Sequence, residues 1–403
     1  MNAPALPGAL IVGGAHVSIG VARSLGRRGI PVWHLANHPL PKYCRYVARS
    51  FDWPGADHPD GLSSILNLVA EHDLAGWVLI ATGDQDMRLI AQNRARFSSL
   101  RVATPDWDTV QWVYDKRLSH KRAHALGIDA PVSFEPRDLD EVRRLDCRFP
   151  VILKPAFRQG ADAFTLAKAW RADDRDALVA LYRRAAALIG SDAVIVQEWI
   201  PGNGGAQFSC AGLWQNGEPL ALLTARRTRQ FPVDFGRSST FVETIVQDKV
   251  EALACRFMRS LDYTGVAEVE FKYDARVDRY KLLDVNGRFW TWCGIGALAG
   301  TDFPYLAWQQ ALGQSVTPCR ARPGVAWLHG RADIKAAWRE WRSGGLTLRE
   351  YLAGFSQPMA FANFALDDSM PALMELPAAL VNRFAARADE VQGSAPSRLR
   401  PAK

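Results

Sequence analysis

A short apolar run, Ala9–Gly13, opens the chain and leads into apolar positions at helical spacing across Val17–Arg28. The alternation continues with a second run at Pro31–Leu35, a helical pattern at Leu62–Glu71, and a third run, Trp77–Ala81, ending in Thr82-Gly83-Asp84. Continuous apolar runs separated by helices predict a parallel, doubly wound α/β sheet, because a parallel strand is covered on both faces and needs a crossover to return. The glycines after the first run read G-G-A-H-V-S-I-G, which is not the G-x-G-x-x-G spacing. No acidic residue follows the second run where a ribose would need one, so the turn suits an anion or substrate group better than a dinucleotide.

From about Arg117 the pattern changes. A helix, Arg117–Leu126, ends at Gly127, and Pro150 and Pro155 bracket Val-Ile-Leu-Lys154 as a short buried strand. Helix Asp174–Ile189 and strand Ala193–Gln197 follow, with a break at Pro201-Gly202. A hairpin is expected from Phe208–Trp214 and Pro219–Ala225, which flank the turn pair Asn216-Gly217. Helix Asp248–Leu261 leads to a second hairpin, Val266–Tyr273 with Tyr280–Asn286. Beyond Arg331 the chain is rich in Trp and Leu at helical spacing, then in Ser and Pro, with fraying expected after Gly393. There is no internal repeat.

At 403 residues, with 48% hydrophobic and 23% charged residues, the chain is globular in composition and long enough for two to three domains. Its net charge of +7 is spread along the sequence without a basic arm, which fits a small anionic ligand and argues against nucleic acid. Six scattered cysteines form neither a C-x-x-C pair nor a disulfide framework, as expected of reduced thiols in a cytoplasmic protein. The N-terminus lacks the basic region of a signal peptide, and no apolar run reaches the roughly 18 residues of a membrane span, so no membrane partner is expected.

Two segments carry chemistry. Lys154 is one of only ten lysines and lies inside an apolar strand, where an ammonium is costly unless an anion meets it. The residues after it, Phe157 to Ala163 with Gln159 and Gly160, make a short polar turn able to offer backbone N–H groups to phosphate. In the second hairpin, pairing Glu270 with Asp284 leaves a five-residue turn, Ala275–Arg279. That register sets Glu268 opposite Asn286, Phe271 opposite Leu283 and Lys272 opposite Leu282. Opposed carboxylates repel, so either Lys272 neutralises them or a divalent cation binds between their oxygens. Arg288 follows two residues beyond Asn286. The segment Thr224–Ser239, with four arginines, Gly and Pro, reads as a loop.

The order Lys116, Phe-Pro-Val-Ile-Leu-Lys154-Pro, Val-Ile-Val-Gln-Glu198-Trp-Ile-Pro-Gly, Gly-Val-Ala-Glu-Val-Glu270-Phe and Leu-Leu-Asp284-Val-Asn286-Gly-Arg288 resembles the ATP-grasp superfamily. Within it the chain looks most like the stand-alone carboxylate–amine ligases, of which D-aspartate ligase is one. The resemblance implies a Rossmann-like domain over 1–115, a small lid subdomain over 116–200, a core with the metal site over 201–325, and a helical extension over 326–403. It implies ATP and Mg²⁺, with Mn²⁺ as a substitute, and small-molecule carboxylate and amine substrates; a homodimer is common among such enzymes. By resemblance, Lys116 and Lys154 bind phosphates, Gln159 and Gly160 belong to the phosphate turn, and Glu198, Trp199 and Ile200 form the adenine hinge. Gln207 stands in for the usual acidic ribose ligand. Glu270, Asp284 and Asn286 hold the metal, although Asp284 replaces the usual Glu and Gly287 the usual Pro. Arg288 stabilises the transferred phosphoryl group, and Arg227 or Arg229, on a loop over the cleft, clamps a substrate carboxylate. His16 and the pair Trp290 and Trp292 are expected to be structural. The implied reaction is ATP-dependent amide formation through an acyl phosphate; the alternatives are a carboxylation through carboxyphosphate and a non-catalytic nucleotide sensor.

Overall fold

The computed structural model describes residues 6–157, 160, 162–233 and 238–377, and these build three sheets. In the first, β1 (Ala9–Val12), β2 (Val32–Ala36), β3 (Arg49–Asp52), β4 (Val78–Ala81) and β5 (Arg101–Val102) run parallel in the order β3-β2-β1-β4-β5. β1 and β4 are buried along their whole length, as their unbroken apolar runs require. The chain first moves outward to β2 and β3 and then returns to the other side of β1, so a crevice opens at the carboxyl ends of β1 and β4. The helix Asp84–Gln92 begins there.

The second sheet is small and antiparallel: β6 (Ser133–Phe134), β7 (Val151–Pro155), β8 (Trp170–Ala172) and β9 (Val194–Glu198), in the order β6-β9-β7-β8. Helix Arg175–Ile189 starts at Asp174, whose side chain accepts from the Ala177 N–H, and buries Leu178, Tyr182 and Ala185.

The third sheet holds β10 (Gln207–Gln215), β11 (Glu218–Phe231), β12 (Ser238–Ile245), β13 (Gly265–Asp274), β14 (Arg279–Asn286), β15 (Cys319–Arg320), β16 (Ala326–Leu328) and β17 (Met359–Phe361). Its order is β14-β13-β10-β11-β12-β16-β17, with β15 beside β11. One face packs on helix Asp248–Arg259 through Val250, Ala254, Phe257 and Met258. The other shares a core with β1 and helix His16–Gly26, into which Trp290 and Trp292 are fully buried as packing residues.

Three expectations need correction. The arginine-rich segment is not a loop from Thr224: β11 continues to Phe231 because it pairs with β12, Arg226 opposite Glu243 and Arg227 opposite Val242. Residues 234–237 of that segment lie outside the described residues. In the second hairpin Glu270 does face Asp284 and Glu268 faces Asn286, but a bulge then absorbs Leu283, so Phe271 meets Leu282 and Lys272 meets Lys281. The turn is one residue shorter than expected, closing between Asp274 and Arg279. Finally, the segment after 326 is not purely helical: β16 pairs with β12 and β17 with β16, extending the large sheet.

Candidate active site

The small and large sheets face each other across a cleft of about 1470 Å³, counted out to its open mouth. Lys154 enters it from β7, and its Nζ donates to Gln197 Oε1 of β9 at 3.1 Å. Gln197 is held in that orientation because its Nε2 donates to Ser133 Oγ at 3.0 Å. Lys116 opens helix Lys116–Ala125, its backbone N–H bound to the Ala156 carbonyl at 2.9 Å, and its ammonium lies 3.1 Å from Asp284. Burial would lower the Lys116 pKa, but Asp284 and Asp84 more than offset this and raise it. Among the described residues Lys154 has no such partner within 4.0 Å. Burial, aided by Lys116 and Lys168, pulls its pKa down to about 8 despite Asp284.

Lys168 was not anticipated. It follows the short helix Ala163–Ala167 at φ +65°, a conformation that costs a non-glycine residue roughly 1–2 kcal/mol. It lines the cleft and as a whole residue is exposed; desolvation of its ammonium between the cleft walls, then the repulsion of Arg227 and Lys116, lowers its pKa, with Glu270 opposing. Among the described residues, no carboxylate lies within 4.0 Å of the Lys154 or Lys168 ammonium. The signal available in the sequence was the one that marked Lys154, a rare lysine in an apolar setting (Ala167-Lys168-Ala169).

The large sheet supplies the acids. Asn286 Nδ2 donates to Glu268 Oε2 at 3.0 Å and to Glu270 Oε1 at 2.8 Å, tying the cross-strand set together. Glu268 also accepts from Ser209 Oγ at 2.8 Å. Burial and the neighbouring Glu270 push the Glu268 carboxyl up; burial acts the same way on Glu270, but Arg227 at 3.2 Å and Lys168 outweigh it and bring Glu270 down. Lys272 is not the neutralising partner, since its Nζ donates to the Gly202 carbonyl at 2.9 Å.

For a divalent cation the donor chemistry fits in part. Glu270 and Asp284 are opposed oxygen donors of the kind Mg²⁺ takes, and in this conformation Arg227 and Lys116 occupy them. Asn286 departs from its expected role: its nitrogen, not its oxygen, faces the carboxylates, and its Oδ1 accepts from Arg288 Nη2 at 3.0 Å. It must turn over to become a ligand. Among the described residues no three acidic, His or Cys side chains already stand as a metal cluster.

Arg288 reaches across to the first sheet. Its Nε donates to Asp84 Oδ1 at 2.8 Å and its Nη2 to Asp84 Oδ2 at 3.3 Å, which joins the β4 crevice to the cleft. Arg227 also lines the cleft and donates from Nη1 to Gln207 Oε1 at 3.0 Å, so the Gln207 amide nitrogen is the group left to face a ligand. Trp199 and Ile200 line the cleft.

Other expectations fail. Arg229 is not at the cleft: it is 2% exposed and forms a bidentate pair with Asp333 at 2.9 and 2.8 Å. The Glu198 carboxylate is taken by Lys281 at 2.8 Å and Arg276 at 2.6 Å, and its backbone N–H donates to the Val132 carbonyl at 2.8 Å. The Gly160 N–H is bound to Asp57 Oδ2 at 3.2 Å, away from the cleft, and Gln159 lies outside the described residues. His16 packs on His329 with ring centroids 4.9 Å apart, a structural place as expected.

No family model matches the sequence, and no curated protein does. Solved structures do match. The biotin carboxylase domain of 2-oxoglutarate carboxylase from Hydrogenobacter thermophilus, in complex with MgADP and bicarbonate, aligns with a TM-score of 0.62 at 13% identity, over 79% of this chain and 73% of that one. The chain has the ATP-grasp fold. An L-amino acid ligase from Bacillus licheniformis shares this ATP-grasp architecture with a TM-score of 0.57 at 16% identity, over 77% and 75% of the two chains. N5-carboxyaminoimidazole synthetase from Staphylococcus aureus aligns with a TM-score of 0.56 at 14% identity, over 79% and 81%.

Proposed function

We propose that this ATP-grasp chain is a carboxylate–amine ligase that forms an amide bond through an acyl phosphate. The observation that carries the reading is the pair Lys154 and Lys168: two cleft cations without an acidic partner within 4.0 Å among the described residues, beside opposed carboxylates whose own cations are exchangeable. Such a site has positive charge in reserve for a polyphosphate. Residues 116–200 form the lid, 201–325 the core and 1–115 the front domain, with the substrates entering where the front domain meets Arg288.

In this scheme the backbone of Glu198 to Ile200 meets adenine, and the Gln207 amide donates to a ribose hydroxyl. Lys116, Lys154 and Lys168 hold the phosphates. Mg²⁺, or Mn²⁺ in its place, bound by Glu270 and Asp284 with Asn286 turned to offer its oxygen, would neutralise charge on the β- and γ-phosphates. Arg288, anchored by Asp84, orients the substrate carboxylate in line with the γ-phosphorus and donates to the equatorial oxygens as charge develops there. The carboxylate oxygen bonds to the γ-phosphorus, the bond to the bridging oxygen breaks, and ADP leaves. The amine nitrogen then attacks the acyl carbon, the C–O bond to phosphate breaks, and the amine proton passes to solvent. Arg227, released from Glu270 when the cation binds, is placed to hold the substrate carboxylate or the departing phosphate.

The test is ADP release from a panel of amino acids offered in pairs, with hydroxylamine as a trap. A hydroxamate that depends on one carboxylate, ATP and Mg²⁺ supports the ligase. ADP release that requires bicarbonate instead would assign a carboxylase, and tight ATP binding without turnover on any pair would assign a sensor.

A further inference from the structure

Two helices cover the large sheet beyond β12. Helix Gly330–Arg342 turns Asp333, Ala336, Ala337 and Glu340 inward. Asp333 pairs with Arg229, and Tyr351 of helix Leu348–Ala353 sits with its ring 5.0 Å from the same guanidinium. Both helices therefore rest on one spot of the sheet, and their remaining faces look outward. Those faces are apolar. Ile334, Trp338 and Trp341 on the first helix, and Leu348, Leu352 and Phe355 on and just after the second, are each between 43% and 66% exposed. Both sets follow the i, i+4, i+7 spacing that lines up side chains in a single stripe. The Trp338 and Trp341 rings lie 5.1 Å apart. Single exposed apolar residues need no explanation, but two stripes on neighbouring helices do.

Charge decides what covers them. Lys335, Arg339 and Arg342 each follow a stripe residue by one position, and Arg349 does so on the second helix; all four are exposed. Among the described residues none has an ion-pair partner. The acids of this segment are used internally: Asp333 and Glu340 are buried, and Glu350 closes a capping box with Thr347. A second copy docked isologously would set these cations against themselves. The chain's own residues 378–403 carry five basic and two acidic side chains, again the same sign. Aromatic and aliphatic stripes flanked by unopposed Lys and Arg match the headgroup boundary of an anionic bilayer, which takes the rings and chains at the acyl edge and the cations at the phosphates.

We infer that residues 330–356 are a docking element that seats the protein on an anionic lipid surface. The attachment is peripheral, since among the described residues no helix is long and apolar enough to cross a membrane. It reverses the expectation of no membrane partner, which considered only a signal peptide and spanning segments, and it stands independently of the ligase reading.

The experiment is flotation of the full chain with phosphatidylcholine vesicles, with and without phosphatidylglycerol, while tryptophan emission is followed. The wild type should float only with the anionic vesicles, with a blue shift, and should be released by high salt. Trp338→Ser with Leu352→Ser should lower partitioning by about tenfold through lost apolar insertion. Arg342→Gln with Arg349→Gln should lower it by about fivefold per charge removed. Both variants should keep the wild-type melting temperature and ATP affinity, because none of these side chains reaches the cleft. Failure of the wild type to float would overturn the proposal. So would a concentration-dependent dimer that Trp338→Ser abolishes, which would assign the stripes to a second copy.

Discussion

Lys154 gives the most quantitative handle on the cleft. Its pKa falls from 10.5 to about 8 because the ammonium is buried next to Lys116 and Lys168. A group whose folded pKa is depressed in this way destabilises the native state by roughly 3 kcal/mol at pH below 8, and the penalty fades as pH rises from 8 to 10.5. ATP bound as proposed should remove the penalty by supplying the missing anion, so binding should draw the lysine to full protonation. At pH 8, where the free protein holds the proton about half the time, each ATP bound should take up about half a proton; at pH 6.5 the uptake from this group should be close to zero. Calorimetry in two buffers of different ionisation enthalpy measures that number directly. Lys154→Met should abolish the uptake, weaken ATP binding, and stabilise the free protein at pH 7 by up to about 3 kcal/mol in chemical denaturation. Zero uptake by the wild type at pH 8, or equal uptake by Lys154→Met, would refute the assignment of this lysine to the phosphates.

Further outcomes follow from the same geometry. Lys168→Met should keep the fold and reduce ATP affinity by about tenfold or more, the loss expected for one charge-assisted phosphate contact, read by the same calorimetry. Arg288→Lys preserves charge but loses the fork that spans Asp84 and Asn286, so ATP should still bind while hydroxamate yield drops by roughly two to three orders of magnitude. Asp284→Asn should remove most of the extra thermal stabilisation that Mg²⁺–ATP gives over ATP with chelator; a shift unchanged by the substitution would place the cation elsewhere. Arg229→Met leaves buried Asp333 without its partner and should cost on the order of 3–5 kcal/mol in stability while KM for ATP stays as in the wild type, which separates it from Arg227.

Much of the scaffold was legible because its signals are local and strong. Buried parallel strands announce themselves as unbroken apolar runs, and Asn216-Gly217 marks its hairpin through positive φ at both residues. The opposed pair Glu270 and Asp284 was legible because strand alternation leaves few registers that bury Val269 and Val285 together. What lay beyond the sequence depends on long-range partners. The bulge at Leu283 compresses the hairpin without any local glycine to betray it. Arg229 reads as a ligand clamp until Asp333, more than a hundred residues away, is seen against it. Lys168 escaped notice because phosphate turns are sought among glycines, whereas here a helix of Ala163–Ala167 delivers a side-chain cation instead.

The ties on Glu198 also bear on how the small sheet moves. Arg276 and Lys281 grip the end of β9 at the point where the chain leaves for the large sheet. At the far side, among the described residues, the small-sheet unit meets the front of the molecule through the Gly160 N–H bonded to Asp57 and the Phe157 ring stacked on Tyr114. A panel pinned tightly near its axis and lightly at its rim swings rather than slides. In such a swing the pins near the axis would barely lengthen, while the rim contacts would have to break. Ionic strength, which weakens exposed pairs, should therefore change how freely the panel rattles about its axis more than how far it opens, and the geometry of closure over ATP should persist from one turnover to the next.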